Sequence, residues 1–119
     1  TPGGTSWTWR SCEGTRCLDM VYADSLTAVS APGFRYTGDD THPSIVETFR
    51  RSIDTVAALP CDVMVSTHPE FSNLFNKLDR RDRRIDPDAL IDAQGCRDYA
   101  AGAAETLERR IAEERSAAG

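Results

Sequence analysis

From Thr5 to Arg10 the chain alternates polar and aromatic residues (Thr-Ser-Trp-Thr-Trp-Arg), the period-two pattern of a half-buried strand. Cys17 to Tyr22 reads as its hairpin partner across the turn-like Glu13-Gly14-Thr15-Arg16. Between Ala23 and Asp40 no period holds, while Ala31-Pro32-Gly33 and Gly38-Asp39-Asp40 signal turns. A long irregular loop is expected there, of the kind that is usually functional or disordered. Ile45, Val46, Phe49, Ile53, Val56 and Ala57 then form one stripe of a helix over 44–58, with Ser44 and Glu47 in a capping-box pattern and Pro60 as its stop. Cys61 to Ser66 is a short apolar run, read as a buried strand that ends at Thr67-His68-Pro69. Helical character returns around Phe71 to Leu78, a short helical piece is expected from Asp86-Pro87-Asp88, and a last helix over 96–115 carries Tyr99, Ala103, Leu107 and Ile111 at steps of four. The tail 116–119 is expected to fray. The order β-β-loop-α-β-α-α is an α/β pattern without internal repeats.

With 119 residues the chain has room for one compact region, 1–119. Its 39% hydrophobic content is too high for disorder, and no stretch reaches the roughly 20 apolar residues of a membrane span. A formal charge of −5 argues against a nucleic-acid partner, which would want a basic face. The arginines at 80, 81, 83 and 84 alternate with aspartates and read as a solvated helix end. The opening Thr1-Pro2-Gly3-Gly4 has no Met, basic region or apolar region, and so carries no targeting information.

Four cysteines allow three pairings. A hairpin at 13–16 would bring Cys12 to Cys17, leaving Cys61 and Cys96 to pair by default. Two disulfides imply an oxidising compartment, the periplasm or the exterior; four free buried thiols are the alternative, and the spacing does not suit a four-cysteine zinc site. There are only two histidines, each in a Thr-His-Pro tripeptide. His42 reads as an exposed residue near a helix start. His68 leaves the C-terminal end of a strand, where α/β proteins place ligands, although a structural role is the commoner fate of such a residue. Asp24, Ser25 and Thr27 also follow a strand. They suit either a metal-bound water and a substrate carboxylate, or a turn that satisfies its own backbone. No GxSxG, P-loop or GxGxxG occurs, and two histidines cannot build a complete catalytic zinc site.

Thr1-Pro2-Gly3-Gly4-Thr5-Ser6-Trp7, Tyr22-Ala23-Asp24-Ser25-Leu26, Ala31-Pro32-Gly33 and Leu59-Pro60-Cys61-Asp62-Val63, leading to Thr67-His68-Pro69, occur in an order and spacing that resemble the second half of subclass B3 metallo-β-lactamases. The resemblance implies the C-terminal half of an αβ/βα sandwich. It implies a hydrolase in which zinc-bound hydroxide attacks the β-lactam carbonyl, with carbapenems among the substrates, in a secreted or periplasmic protein. His68 matches a ligand of the second of two zinc ions. Ser25 matches the serine that hydrogen-bonds a water on that zinc, and Thr27 a residue that holds the substrate carboxylate. Cys61 and Cys96 match the family disulfide, Cys12 and Cys17 an extra one of one branch, and 34–40 a loop near the active-site mouth.

The family's HxHxDH motif does not occur, and a further ligand histidine is expected immediately before Thr1. The chain alone is therefore expected to be inactive and to need the N-terminal half as its partner. Two alternatives stay open: a structural half that associates with a separately made N-terminal half, and a hydrolase of the same fold with another substrate.

Overall fold

The computed structural model describes residues 3–118, and Thr1 and Pro2 of the expected opening motif lie outside them. Strands β1 (Trp7–Glu13) and β2 (Arg16–Ala23) form the expected hairpin, with Trp7 opposite Tyr22 and Cys12 opposite Cys17. Helix α1 (Val46–Ala57) carries the chain over to β3 (Val63–Ser66), which pairs parallel to β2 with Met20 opposite Val63 and Ala23 opposite Ser66. A parallel pair cannot be closed by a tight turn, so the helix is the crossover this pairing requires. A 3-10 turn (Pro69–Ser72), α2 (Leu74–Asp82) and the long α3 (Gly95–Ala118) follow. The sheet order is β1-β2-β3.

The core lies between one face of β2 and β3 and the helix pair α1 and α3. Val46, Phe49, Ile53 and Val56 are the buried stripe of α1, and the facing stripe of α3 contributes Tyr99, Ala103, Leu107 and Ile111. Each fully buried side chain of Leu107 type contributes roughly 1.5–3 kcal/mol. Both expected disulfides form. Cys61–Cys96 ties the start of α3 to the chain just before β3. Asp62 reinforces the joint: its carboxylate accepts the Asp19 amide at 2.8 Å and its carbonyl accepts the Asp92 amide at 2.7 Å.

Five expectations change in detail. The alternation from Thr5 predicts a half-buried strand, yet β1 is exposed on both faces along its length, with Trp7 64% and Trp9 48% exposed, because nothing among the described residues packs on it. The capping box does not form. Ser44 Oγ instead donates to the Tyr36 carbonyl and accepts the Val46 amide, and the helix starts at Val46, two residues later than expected, without a side-chain cap. The helical stretch at 71–78 is split by Asn73, whose φ of 56° places it in the left-handed region between the 3-10 turn and α2. Asp86 to Leu90 makes isolated turn bonds, Ala89 to Asp86 and Ile91 to Asp88, and no helix. Finally, α3 continues through the tail to Ala118, with Gly119 outside the described residues.

The radius of gyration is 16.9 Å, against roughly 13.5 Å for a compact domain of this length. The excess reflects an elongated shape, 56 × 25 × 19 Å. A groove of about 710 Å³ is lined by Leu26, Val29, Phe34, Tyr36, Ile45 and Phe49, among others. Val29 is 71% exposed at its rim, while Tyr36 and Phe49 are buried at its base. None of the helices described is long and apolar enough to cross a membrane.

Candidate functional site

Parallel strands β2 and β3 end side by side, at Ala23 and Ser66, and the Thr67 amide still reaches the Ala23 carbonyl at 3.3 Å. The two segments that leave there are Asp24–Thr27 and Thr67–His68. The pairing of these strand ends thus brings the Ser25 turn and His68 to one end of the sheet.

The turn is built from its own polar groups. Asp24 Oδ1 accepts the Ser25 amide at 2.8 Å, and Ser25 Oγ accepts the Thr27 amide at 3.3 Å. Ser6, just before β1, adds its Oγ as acceptor for the Asp24 amide at 2.9 Å. Ser25 has thereby used one acceptor position and keeps its hydroxyl proton and a second lone pair. The local-turn role and a solvent-facing role are compatible in this geometry. Thr27 is partly buried and lines a cavity of about 200 Å³ with Leu26, Phe71 and, from the first turns of α3, Tyr99, Ala103 and Thr106.

His68 stands between β3 and the 3-10 turn with its side chain 53% exposed. Its ring meets Phe71 edge-on at 5.3 Å between centroids. Glu70 Oε1 lies 3.9 Å from Nδ1, beyond hydrogen-bond reach, so the carboxylate is near the ring without fixing its tautomer. Among the described residues no group of three or more His, Cys, Asp or Glu side chains is arranged to hold a metal. On their own the described residues therefore do not fit a complete zinc site.

His42 differs from the exposed residue expected. It is partly buried, stacked on Phe34 at 4.6 Å, and shares the apolar groove, with Nδ1 2.9 Å from the Pro43 carbonyl and Nε2 lacking a hydrogen-bond partner. Asp39 beside it accepts from the Thr41 hydroxyl, the Thr41 amide and the His42 amide, and these bonds hold its carboxyl below the usual value, the hydroxyl contributing most. Burial raises the phenol of Tyr36, opposed by the nearby Arg110 charge and aided by Glu114. The arginines at 80, 81, 83 and 84 are exposed at the end of α2, as their alternation with aspartates predicts.

Sequence reasoning missed Tyr99. Its place on the apolar stripe of α3 is correct, and it is 8% exposed. Its hydroxyl, however, donates to the Asp24 carbonyl at 2.8 Å, accepts the Leu26 amide at 3.1 Å and lies 3.3 Å from Ser66 Oγ. The only signal for this in the sequence is a phenol where a phenyl would fill the same space, since a buried tyrosine hydroxyl needs partners.

No protein-family model matches the chain. Among solved structures, Rm3 metallo-β-lactamase aligns with a TM-score of 0.90 and 47% identity over 97% of this chain and 42% of that one. MEM-A1, a subclass B3 metallo-β-lactamase from a soil metagenome library, aligns with a TM-score of 0.87 and 42% identity over 95% of this chain and 42% of its own. MIM-1, a metallo-β-lactamase from Novosphingobium pentaromativorans, gives 0.81 and 37% identity over 100% of this chain and 41% of its own. The chain thus spans about 42% of the length of the first two relatives, a share consistent with a C-terminal half. Being 37–47% identical to these enzymes and sharing their α/β fold over nearly all its length, the chain belongs to the B3 metallo-β-lactamases.

Proposed function

We propose that this chain is the C-terminal part of a zinc-dependent β-lactam hydrolase that accepts carbapenems and works in the periplasm or outside the cell. The observation that carries the reading is the meeting of the Ser25 turn and the His68 segment at the paired ends of β2 and β3, in a chain of this family. Two disulfides support the oxidising location.

His68 offers a neutral imidazole as one metal ligand. Ser25, whose hydroxyl proton the turn leaves unused, would hydrogen-bond a water beside that ligand. Thr27 holds the carboxylate of the substrate. Zinc, when bound, supplies Lewis acidity toward water and toward the lactam carbonyl. The remaining metal donors belong to the rest of the protein, which corresponds to more than half of a relative's length.

The test is hydrolysis of a carbapenem at saturating zinc. The protein extended upstream to the length of its relatives is expected to turn the substrate over, and the 119-residue chain is expected not to. Failure of the longer protein overturns the reading, and full turnover by the short chain overturns the assignment of the missing donors.

A second reading is favoured by the uncovered apolar surface: this chain works as a structural half that binds a separately made N-terminal half. The bare faces of β1 and the open groove are the surfaces such a partner would cover. Mixing the two halves is then expected to give one 1:1 species on size-exclusion chromatography. A chain that stays alone in the presence of its other half counts against it. Another hydrolase activity on the same fold would appear as turnover of a thioester, phosphodiester or lactone in place of the lactam.

A further inference from the structure

The hydroxyl of Tyr99 stands at a junction whose effect exceeds packing. The Asp24 carbonyl and the Leu26 amide belong to the two peptide units that flank Ser25, and both bond the same phenol oxygen, at 2.8 and 3.1 Å. One atom therefore fixes the backbone of Ser25 from both sides. The third bond leads to the other candidate residue: Ser66 Oγ donates to the phenol at 3.3 Å and accepts the His68 amide at 3.5 Å. A phenol has one proton and two acceptor positions, and all three are used here.

We propose that Tyr99 is a positioning residue whose hydroxyl sets the Ser25 turn against His68. The assignment rests on the functional reading above. It is not a catalytic residue, because it is buried and its hydroxyl bonds only backbone and Ser66. The Cys61–Cys96 disulfide holds α3 at the start of β3, and Tyr99, one helical turn later, reaches the end of the same strand. The helix is thus registered against β3 at both ends, and the phenol converts that register into the spacing between two loops.

The experiment uses the protein extended upstream to the length of its relatives. Tyr99→Phe keeps the ring in the core and removes only the hydroxyl. Amide hydrogen exchange is expected to speed up together at Leu26 and His68, with the interior amides of α1 and α3 unchanged. The carbapenem kcat is expected to fall about 10- to 100-fold, the range for residues that orient metal ligands, with a smaller change in KM. Ser66→Ala cuts one branch only, so the His68 amide should lose protection while the Leu26 amide keeps it. Uniform loss of protection throughout the protein, or faster exchange at Leu26 with an unaltered His68 in Tyr99→Phe, overturns the proposal. So does an unchanged kcat in a protein that is active before substitution. Should the unsubstituted protein hydrolyse no lactam, the functional reading fails, and the exchange measurement still decides whether the phenol couples the two loops.

Discussion

Replacing His68 by Ala in the full-length protein is expected to lower kcat/KM for a carbapenem by more than about 100-fold, since loss of partners that merely orient a ligand costs 10- to 100-fold. The dialysed protein should also retain about one metal equivalent less, because a metal's binding free energy depends on each deprotonated donor. Two features make the effect specific to the donor atom. The side chain is half exposed and makes no hydrogen bond, so its removal leaves no buried group unpaired and the fold stays intact. His42 provides the contrast, since it occurs in the same tripeptide but stacks on Phe34 in the groove, and His42→Ala should leave metal content unchanged. Metal analysis and steady-state kinetics on the two variants decide the matter. Equal metal content in wild type and His68→Ala would remove His68 from the ligand set.

The second large effect concerns stability. Replacing Cys61 and Cys96 by Ala is expected to cost about 4 kcal/mol, measured as a shift of the urea midpoint at constant slope, because the bond closes a loop of 35 residues. The Cys12–Cys17 bond closes a separation of only 5 residues, within a hairpin that already holds its register, and its removal should cost about 2 kcal/mol or less. The larger bond also holds the start of α3 beside β3, so its loss should loosen the Tyr99 contacts along with the core. Equal effects of the two deletions would contradict the loop-closure account.

Much of this architecture can be read from the sequence, for definite reasons. The stripe of α1 and the steps of four along α3 are long enough for helical period to be unambiguous, and both helices form within a few residues of expectation. The hairpin follows from two runs around a Gly-containing turn that also brings two cysteines together. Errors arise where the pattern depends on a neighbour that the chain does not supply. Alternation along β1 implies a buried face, but burial is a property of two surfaces, and only one is present here. In place of the capping box, Ser44 Oγ accepts the Val46 amide and gives its proton to the carbonyl of Tyr36, eight residues earlier in the preceding loop.

Legibility of the site divides in the same way. Ser25, Thr27 and His68 stand out because they follow strand ends, and in this family resemblance supplies their roles. Strand pairing brings the two segments together, and that pairing is long-range information which periodicity does not contain. The contribution of Tyr99 is less visible still, since one oxygen atom separates it from an ordinary core residue.

The bond from Tyr99 to Asp24 joins positions 75 residues apart in sequence. The local bonds of the Ser25 turn can form early, but its fixing by the phenol waits for a contact with high loop-closure cost. On a ribosome the residues of the turn emerge long before the helix that secures them. A nascent chain would carry an unsecured Ser25 turn until α3 had been synthesised and docked.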